Sequence, residues 1–209
     1  IANTAKAITR DHLIDKVLIN REGGLCYELN PLLYYFLLEN GFDVVLTRGV
    51  VYQHERQKFM DLGRTHVTVL LTHDGKKYVV DTGFGGNLPL KPVPLTGECT
   101  RSGNGEFRIS KMDSGYGDHV LEMKLKHKDS DWKTGYAFYA DRPITGISEC
   151  EDVRTIIAGH PDSPFNKTPL ITKLTRKGNV TLTPSSFTRW ENGTVTKEDT
   201  DAARFDELL

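Results

Sequence analysis

Between Arg64 and Asp81 the chain reads RTHVTVLLTHDGKKYVVD, two β-rich runs on either side of Asp74-Gly75. An Asp-Gly pair in that setting fits a two-residue hairpin loop, whose central positions need positive φ. With those residues as the loop, His73 faces Lys76 and paired residue numbers sum to 149, so Thr68 faces Asp81 and His66 faces Gly83. Side chains two apart on a strand share a face, which makes His66 and Asp81 diagonal neighbours about 7–8 Å apart at the backbone and closer at their tips. The carboxylate then reaches the imidazole, and the stretch predicts both an antiparallel sheet and the beginning of a site.

The exit from the hairpin, Thr82-Gly83-Phe84-Gly85-Gly86, is glycine-rich, as suits close approach of backbone to a ligand. Gly83, Phe84, Gly85 and Gly86 are expected to line a cleft; the alternative is a tight barrel corner with Phe84 in the core. The hairpin strands are expected over 65–72 and 76–82, and others over 43–53, 107–110, 119–127 and 132–139, all rich in Val, Leu, Tyr and Phe. Leu121, Met123 and Leu125 alternate with Glu122, Lys124 and Lys126, so one face is buried and the sheet is closed or strongly bent. Residues 146–158 predict a short helix between the breakers Arg142-Pro143 and Pro161-Asp162-Ser163-Pro164. Beyond it, 170–175, 180–183, 186–190 and 194–197 read as strands and 199–209 as a closing helix.

Upstream of the hairpin, Leu13, Ile14, Val17 and Leu18 recur at helical spacing over 11–20, with Asp11 placed to cap. After Arg21-Glu22-Gly23-Gly24, Cys26 stands at or just before a second helix that stops at Gly41. Unpaired N–H groups at a helix start favour a thiolate there. Pro31 complicates this reading, because proline is tolerated only in the first helical turn. The long helix is then free to begin with Asn30 as cap and Pro31 at its first position. In that case Cys26 lies on a preceding or kinked extra turn and leans more on His66.

Composition narrows the function. Of 209 residues, 27 are Lys or Arg and 28 Asp or Glu, a net charge of −1 that gives no general attraction to nucleic acid or an anionic membrane. The longest apolar run, 32–38, falls far short of the roughly 20 residues that cross a bilayer, and a soluble chain is expected. Cys26, Cys99 and Cys150 cannot all pair within the chain, which fits a reducing, cytoplasmic setting. No pair of histidines has metal-ligand spacing with Cys or carboxylates, so no metal is expected. His12, His54, His73 and His127 read as solvated. The asparagines of the sequons at Asn166, Asn179 and Asn192 read as turn residues.

Four blocks carry a resemblance: REGGLCYELN (21–30), THVT (65–68), VDTGFG (80–85) and HPDSPF (160–165). In this order, and over nearly the whole length, they resemble the arylamine N-acetyltransferases. The resemblance implies an α+β fold: a helical first domain at 1–42, an antiparallel β-barrel at 43–145, a connector at 146–168 and a small α/β lid at 169–209. It also implies further sequence before Ile1 and beyond Leu209. Cys26, His66 and Asp81 fall on the positions of a Cys-His-Asp triad resembling that of cysteine proteases. Two departures stand beside the match: Glu22 where the family generally has Arg, and Leu25 where it has an aromatic residue.

The implied chemistry is ping-pong acetyl transfer, in the setting of xenobiotic metabolism. Acetyl-coenzyme A gives its acetyl group to the cysteine, coenzyme A leaves, and a small aromatic amine or hydrazine takes the acetyl group. Gly83 to Gly86 would admit the pantetheine arm and Phe84 would pack on an aromatic acceptor; Arg64, Arg101, Lys111 and Lys133 are possible but unassigned partners for the coenzyme phosphates. Two other classes fit the same residues: a cysteine hydrolase or transglutaminase-like enzyme using the same triad, and an inert binding scaffold.

Overall fold

The computed structural model of the protein describes residues 6–209, so the first five residues of the expected helical region lie outside the described ones. Helix α1 (Arg10–Leu13) is capped by Thr9 and not by Asp11; the Thr9 hydroxyl accepts from the His12 N–H. Ile8 and Leu13 are both buried in the same apolar cluster and flank this turn, which fixes the entry of the chain one residue before Thr9. The expected single helix then changes pitch, because Ile14–Ile19 forms a π-helical stretch closed by the Asn20 N–H on the Asp15 carbonyl.

Helix α2 runs unbroken over Cys26–Glu39, with Leu25 as its N-cap and a stop at Asn40 and Gly41, the latter at φ +81°. The reading that started the helix at Asn30 is therefore overturned. Pro31 sits inside α2 and forfeits the hydrogen bond that a residue there would give to the Tyr27 carbonyl. Tyr27, Asn30 and Pro31 are buried together, so tertiary packing outweighs the local loss.

The barrel follows: β1 (Asp43–Gln53), β2 (Lys58–Phe59), β3 (His66–His73), β4 (Lys76–Val80), β5 (Val93–Pro94), β6 (Thr100–Ser102), β7 (Gly105–Ser114), β8 (Gly117–Leu125) and β9 (Lys133–Pro143). The strands are ordered β5-β4-β3-β1-β9-β8-β7-β6, with β2 on β1, all pairs antiparallel, and β5 returns against β7 to leave the barrel nearly closed. The short strands β2, β5 and β6 were not foreseen, and β7 and β9 are longer than expected. The β3–β4 register runs from His73↔Lys76 to Val69↔Val80 as predicted, with Asp74 and Gly75 at φ +49° and +70°. It stops there, short of the Thr68–Asp81 and His66–Gly83 pairs, because the Thr82 N–H is taken by the Asn30 side chain at 2.8 Å.

Both faces of β3 are buried. Val67, Val69 and Leu71 join Leu13, Tyr27, Cys150, Val153 and Ile157 in a core between barrel and helices. Leu70 points the other way, into a barrel interior filled by Phe107, Ile109, Leu121, Met123, Tyr136 and Phe138. His66 and Thr68 share the Leu70 face by strand alternation.

Helix α3 (Ser148–Gly159) and a 3-10 turn, Pro164–Asn166, lead to a second antiparallel sheet of β10 (Ile171–Leu174), β11 (Gly178–Thr183), β12 (Ser186–Glu191) and β13 (Thr194–Asp199), closed by α4 (Ala202–Leu208). Asn192 is a turn residue at φ +50°, as read. Asn166 lies in the 3-10 turn and bonds the Ala158 and His160 carbonyls, whereas Asn179 is a buried residue of β11. His127, expected in solvent, is buried at the end of β8, where the Lys126 N–H donates to the Asn104 carbonyl and draws the turn inward. No helix among the described residues is long and apolar enough to cross a membrane.

Candidate active site

Cys26 is the first residue of α2, so its sulfur stands where the helix dipole presents positive charge. The thiol faces the Thr65 carbonyl at 3.5 Å, one residue before His66 on β3. The His66 Nε2 is 2.7 Å from Asp81 Oδ2, and the Cys26 side chain lines the same cleft, close enough to the ring to help raise its pKa. With Nε2 committed to Asp81, Nδ1 is the nitrogen left for the sulfur. Asp81 leaves the end of β4 and is buried with His66. The structure thus brings the three predicted side chains together.

Asp81 is satisfied on both oxygens. Oδ1 accepts from Asn30 Nδ2 at 2.9 Å and the Gly83 N–H at 2.7 Å; Oδ2 accepts from the Tyr136 hydroxyl at 2.9 Å besides His66. Burial alone would raise the Asp81 pKa, but the His66 charge and these donors hold it below the usual carboxylate range. Burial likewise opposes a charged His66; the Asp81 charge, the Asp81 hydrogen bond and the Cys26 side chain reverse that and push its pKa up to about 10. Tyr136 is held neutral, its pKa driven far up by burial and by the Asp81 charge.

Asn30 and Tyr136 are the residues that sequence reasoning missed. Asn30, read as a helix cap, uses its whole carboxamide: Nδ2 donates to the Val67 carbonyl and Asp81, and Oδ1 accepts from the Thr82 N–H and hydroxyl. A polar residue inside the apolar face of a helix was the available signal. Tyr136 had a fainter one, a hydroxyl at an inward position two residues from Phe138.

The glycine run packs differently from expectation. A Cβ on Gly83 would stand 2.5 Å from Cys26 Cα, so this position admits the start of α2 itself. Gly85, at φ +58°, and Gly86 face Thr172 and Asn179 of the second sheet. Phe84 serves both readings, its ring 5.0 Å from those of His66 and Tyr136, packed on the barrel core and facing the cleft. The cleft encloses about 1260 Å³ between the barrel mouth, α2, α3 and the second sheet. Lys6, Lys16, Lys128 and Lys167 line it, whereas Arg64, Arg101, Lys111 and Lys133 do not. Glu22 lines the mouth, and Leu25 leans on the helical core. Among the described residues no cluster of His, Cys, Asp and Glu is placed to hold a metal ion.

A thiol at a helix start, an imidazole on a barrel strand and a buried acid at the next strand's exit are the parts of a thiol acyl-transfer centre. The chain belongs to the arylamine N-acetyltransferase family: residues 2–209 match the family model described as N-acetyltransferase. It is similar to the uncharacterized acetyltransferase YvcN of Bacillus subtilis, 40% identical over 97% of this chain and 78% of that protein. The crystal structure of arylamine N-acetyltransferase C from Bacillus anthracis superposes with a TM-score of 0.92 at 41% identity, covering 99% of this chain and 79% of that one. An arylamine N-acetyltransferase of Bacillus cereus matches with a TM-score of 0.90 at 41% identity over 98% and 78% of the two chains, and is described as having a unique Cys-His-Glu catalytic triad. In the present chain the acid bonded to the histidine is Asp81, one methylene shorter.

Proposed function

We propose that Cys26, His66 and Asp81 carry acetyl from acetyl-coenzyme A to the nitrogen of an arylamine or arylhydrazine through an acetyl-cysteine. The observation that carries this reading is His66 bonded to a fully satisfied Asp81, with the Cys26 thiol beside it in the same cleft on the carbonyl of the preceding Thr65. His66 takes the thiol proton, and the sulfur attacks the thioester carbonyl. The acyl–sulfur bond of the donor breaks, and the His66 proton leaves with the coenzyme thiolate. In the second half, His66 takes a proton from the attacking amine while the acetyl–Cys26 bond breaks and the thiol is restored. Asp81 fixes the ring orientation and stabilises the imidazolium in both halves. The Cys26 N–H with one neighbouring N–H is the fitting oxyanion donor set. Gly83, Phe84, Gly85 and Gly86 remain the wall along which the coenzyme enters.

All three cysteines are free, which supports the cytoplasmic setting. The test is intact mass after mixing with acetyl-coenzyme A. One acetyl adduct is expected, mapped to Cys26, absent in Cys26→Ser and His66→Ala, and discharged by an arylamine. A folded protein that gains no adduct yet cleaves peptides would overturn the transferase reading in favour of a hydrolase.

A further inference from the structure

Asn179 stands on β11, where the ladder places it between Leu174 of β10 and Trp190 of β12. Its residue is more than nine-tenths buried, yet its carboxamide makes no hydrogen bond to any described residue, although it lines the cleft. The neighbouring polar groups of the second sheet are occupied: the Thr172 hydroxyl donates to the Val180 carbonyl, and the Thr181 hydroxyl to Thr172. Its amide atoms open into the cleft and not into the protein interior, so they are free to meet a ligand there, and a site that hydrogen-bonds a ligand amide discriminates against a ligand lacking one.

Its position says which part of a ligand that is. The Asn179 carboxamide would lie 3.6 Å from a Cβ built on Gly86, and Gly83 touches Cys26. Gly86 is three residues beyond Gly83, so the two are separated by at most about 11 Å. A carboxamide offers one acceptor and a pair of donors, the complement of a secondary amide. Such an amide occurs in the pantetheine arm, which holds two of them within a short chain of the reacting sulfur, and in an acyl hydrazide acceptor. Resting on the acetyl-transfer reading, we infer that Asn179 is the residue by which the second sheet recognises a secondary amide of the bound substrate.

The test compares wild type with Asn179→Ala and with Asn179→Asp, which keeps the shape and replaces the donors by an acceptor. Acetyl-coenzyme A and p-nitrophenyl acetate, an acetyl donor without an amide, are the two donors. A simple aniline and an aryl hydrazide are the two acceptors. The expected result is a KM raised roughly 3- to 10-fold for the amide-bearing partner, with Cys26 acetylation by p-nitrophenyl acetate and the KM for aniline unchanged. A rise confined to acetyl-coenzyme A assigns the contact to pantetheine; one confined to the hydrazide assigns it to the acceptor. Unchanged KM values for both, or an equal loss with p-nitrophenyl acetate, would overturn the inference. Failure of the wild type to be acetylated by either donor would instead overturn the acetyl-transfer reading.

Discussion

At the residue scale the site is organised by its acid. Asp81 accepts four hydrogen bonds, from His66, Asn30, Tyr136 and the Gly83 N–H, and no carboxylate oxygen is left free to rotate. Replacing Asp81 by Asn puts an NH2 group against donors and removes the charge that holds the imidazolium. The fold should survive, and acetylation of Cys26 should slow at least on the order of 100-fold; single-turnover acetylation checks this, and an unchanged rate would refute the role. Tyr136→Phe removes one of the four donors and keeps the ring, so a loss of about 1 kcal/mol in urea stability and a smaller fall in rate are expected. The sequence disclosed His66 and Asp81 because a two-residue turn ties them into one register. Asn30 and Tyr136 reach the same carboxylate from 51 and 55 residues away in the chain, a proximity that no local period encodes.

At the element scale the start of α2 determines where the sulfur stands. Glu28 accepts the Leu25 N–H at 3.1 Å with one oxygen and takes Lys16 at 2.5 Å with the other, so the π-helical stretch holds the cap of α2. Both side chains are largely buried, which places the pair between an exposed ion pair of small worth and a buried one that is costly to break. Lys16→Met is expected to lower stability by about 1–2 kcal/mol and to slow Cys26 alkylation by iodoacetamide, with Lys16→Arg restoring both. Alkylation at the wild-type rate in a destabilised Lys16→Met protein would show that the pair holds the fold and not the thiol. Hydrophobic spacing announced a helix near 11–20, but the change of pitch at Ile14, which comes with the reach of Lys16 to Glu28, is not contained in spacing alone. Pro31 misled for a related reason: the local rule is sound, and burial against the barrel overrides it.

At the scale of the whole molecule, the second helix and the barrel meet at one buried charge pair, and its protonation couples the site to the stability of the fold. His66 is raised from its ordinary 6.5 to about 10, so its contribution is complete below 6.5 and is lost as pH rises through 10. Asp81 is depressed below its ordinary 3.8, so its contribution is present above 3.8 and is lost as pH falls through the folded value. These are two descriptions of one interaction, strongest between about 3.8 and 6.5 and declining from there toward pH 10. Urea midpoints measured from pH 5 to 10 should fall across the upper half of that range in the wild type. In Asp81→Asn the attraction is gone, and burial, which depresses the His66 pKa, becomes the main influence. The contribution of His66 then changes sign, and stability should rise as pH climbs toward 6.5 and level off above it, because the folded state prefers the neutral ring. His66→Gln in each background removes the titrating ring together with its effect on Asp81, so the difference between paired curves reports the pair in the wild type and the ring alone in Asp81→Asn. Parallel curves for the wild type and Asp81→Asn would mean that the imidazolium of the folded protein is stabilised by something other than Asp81.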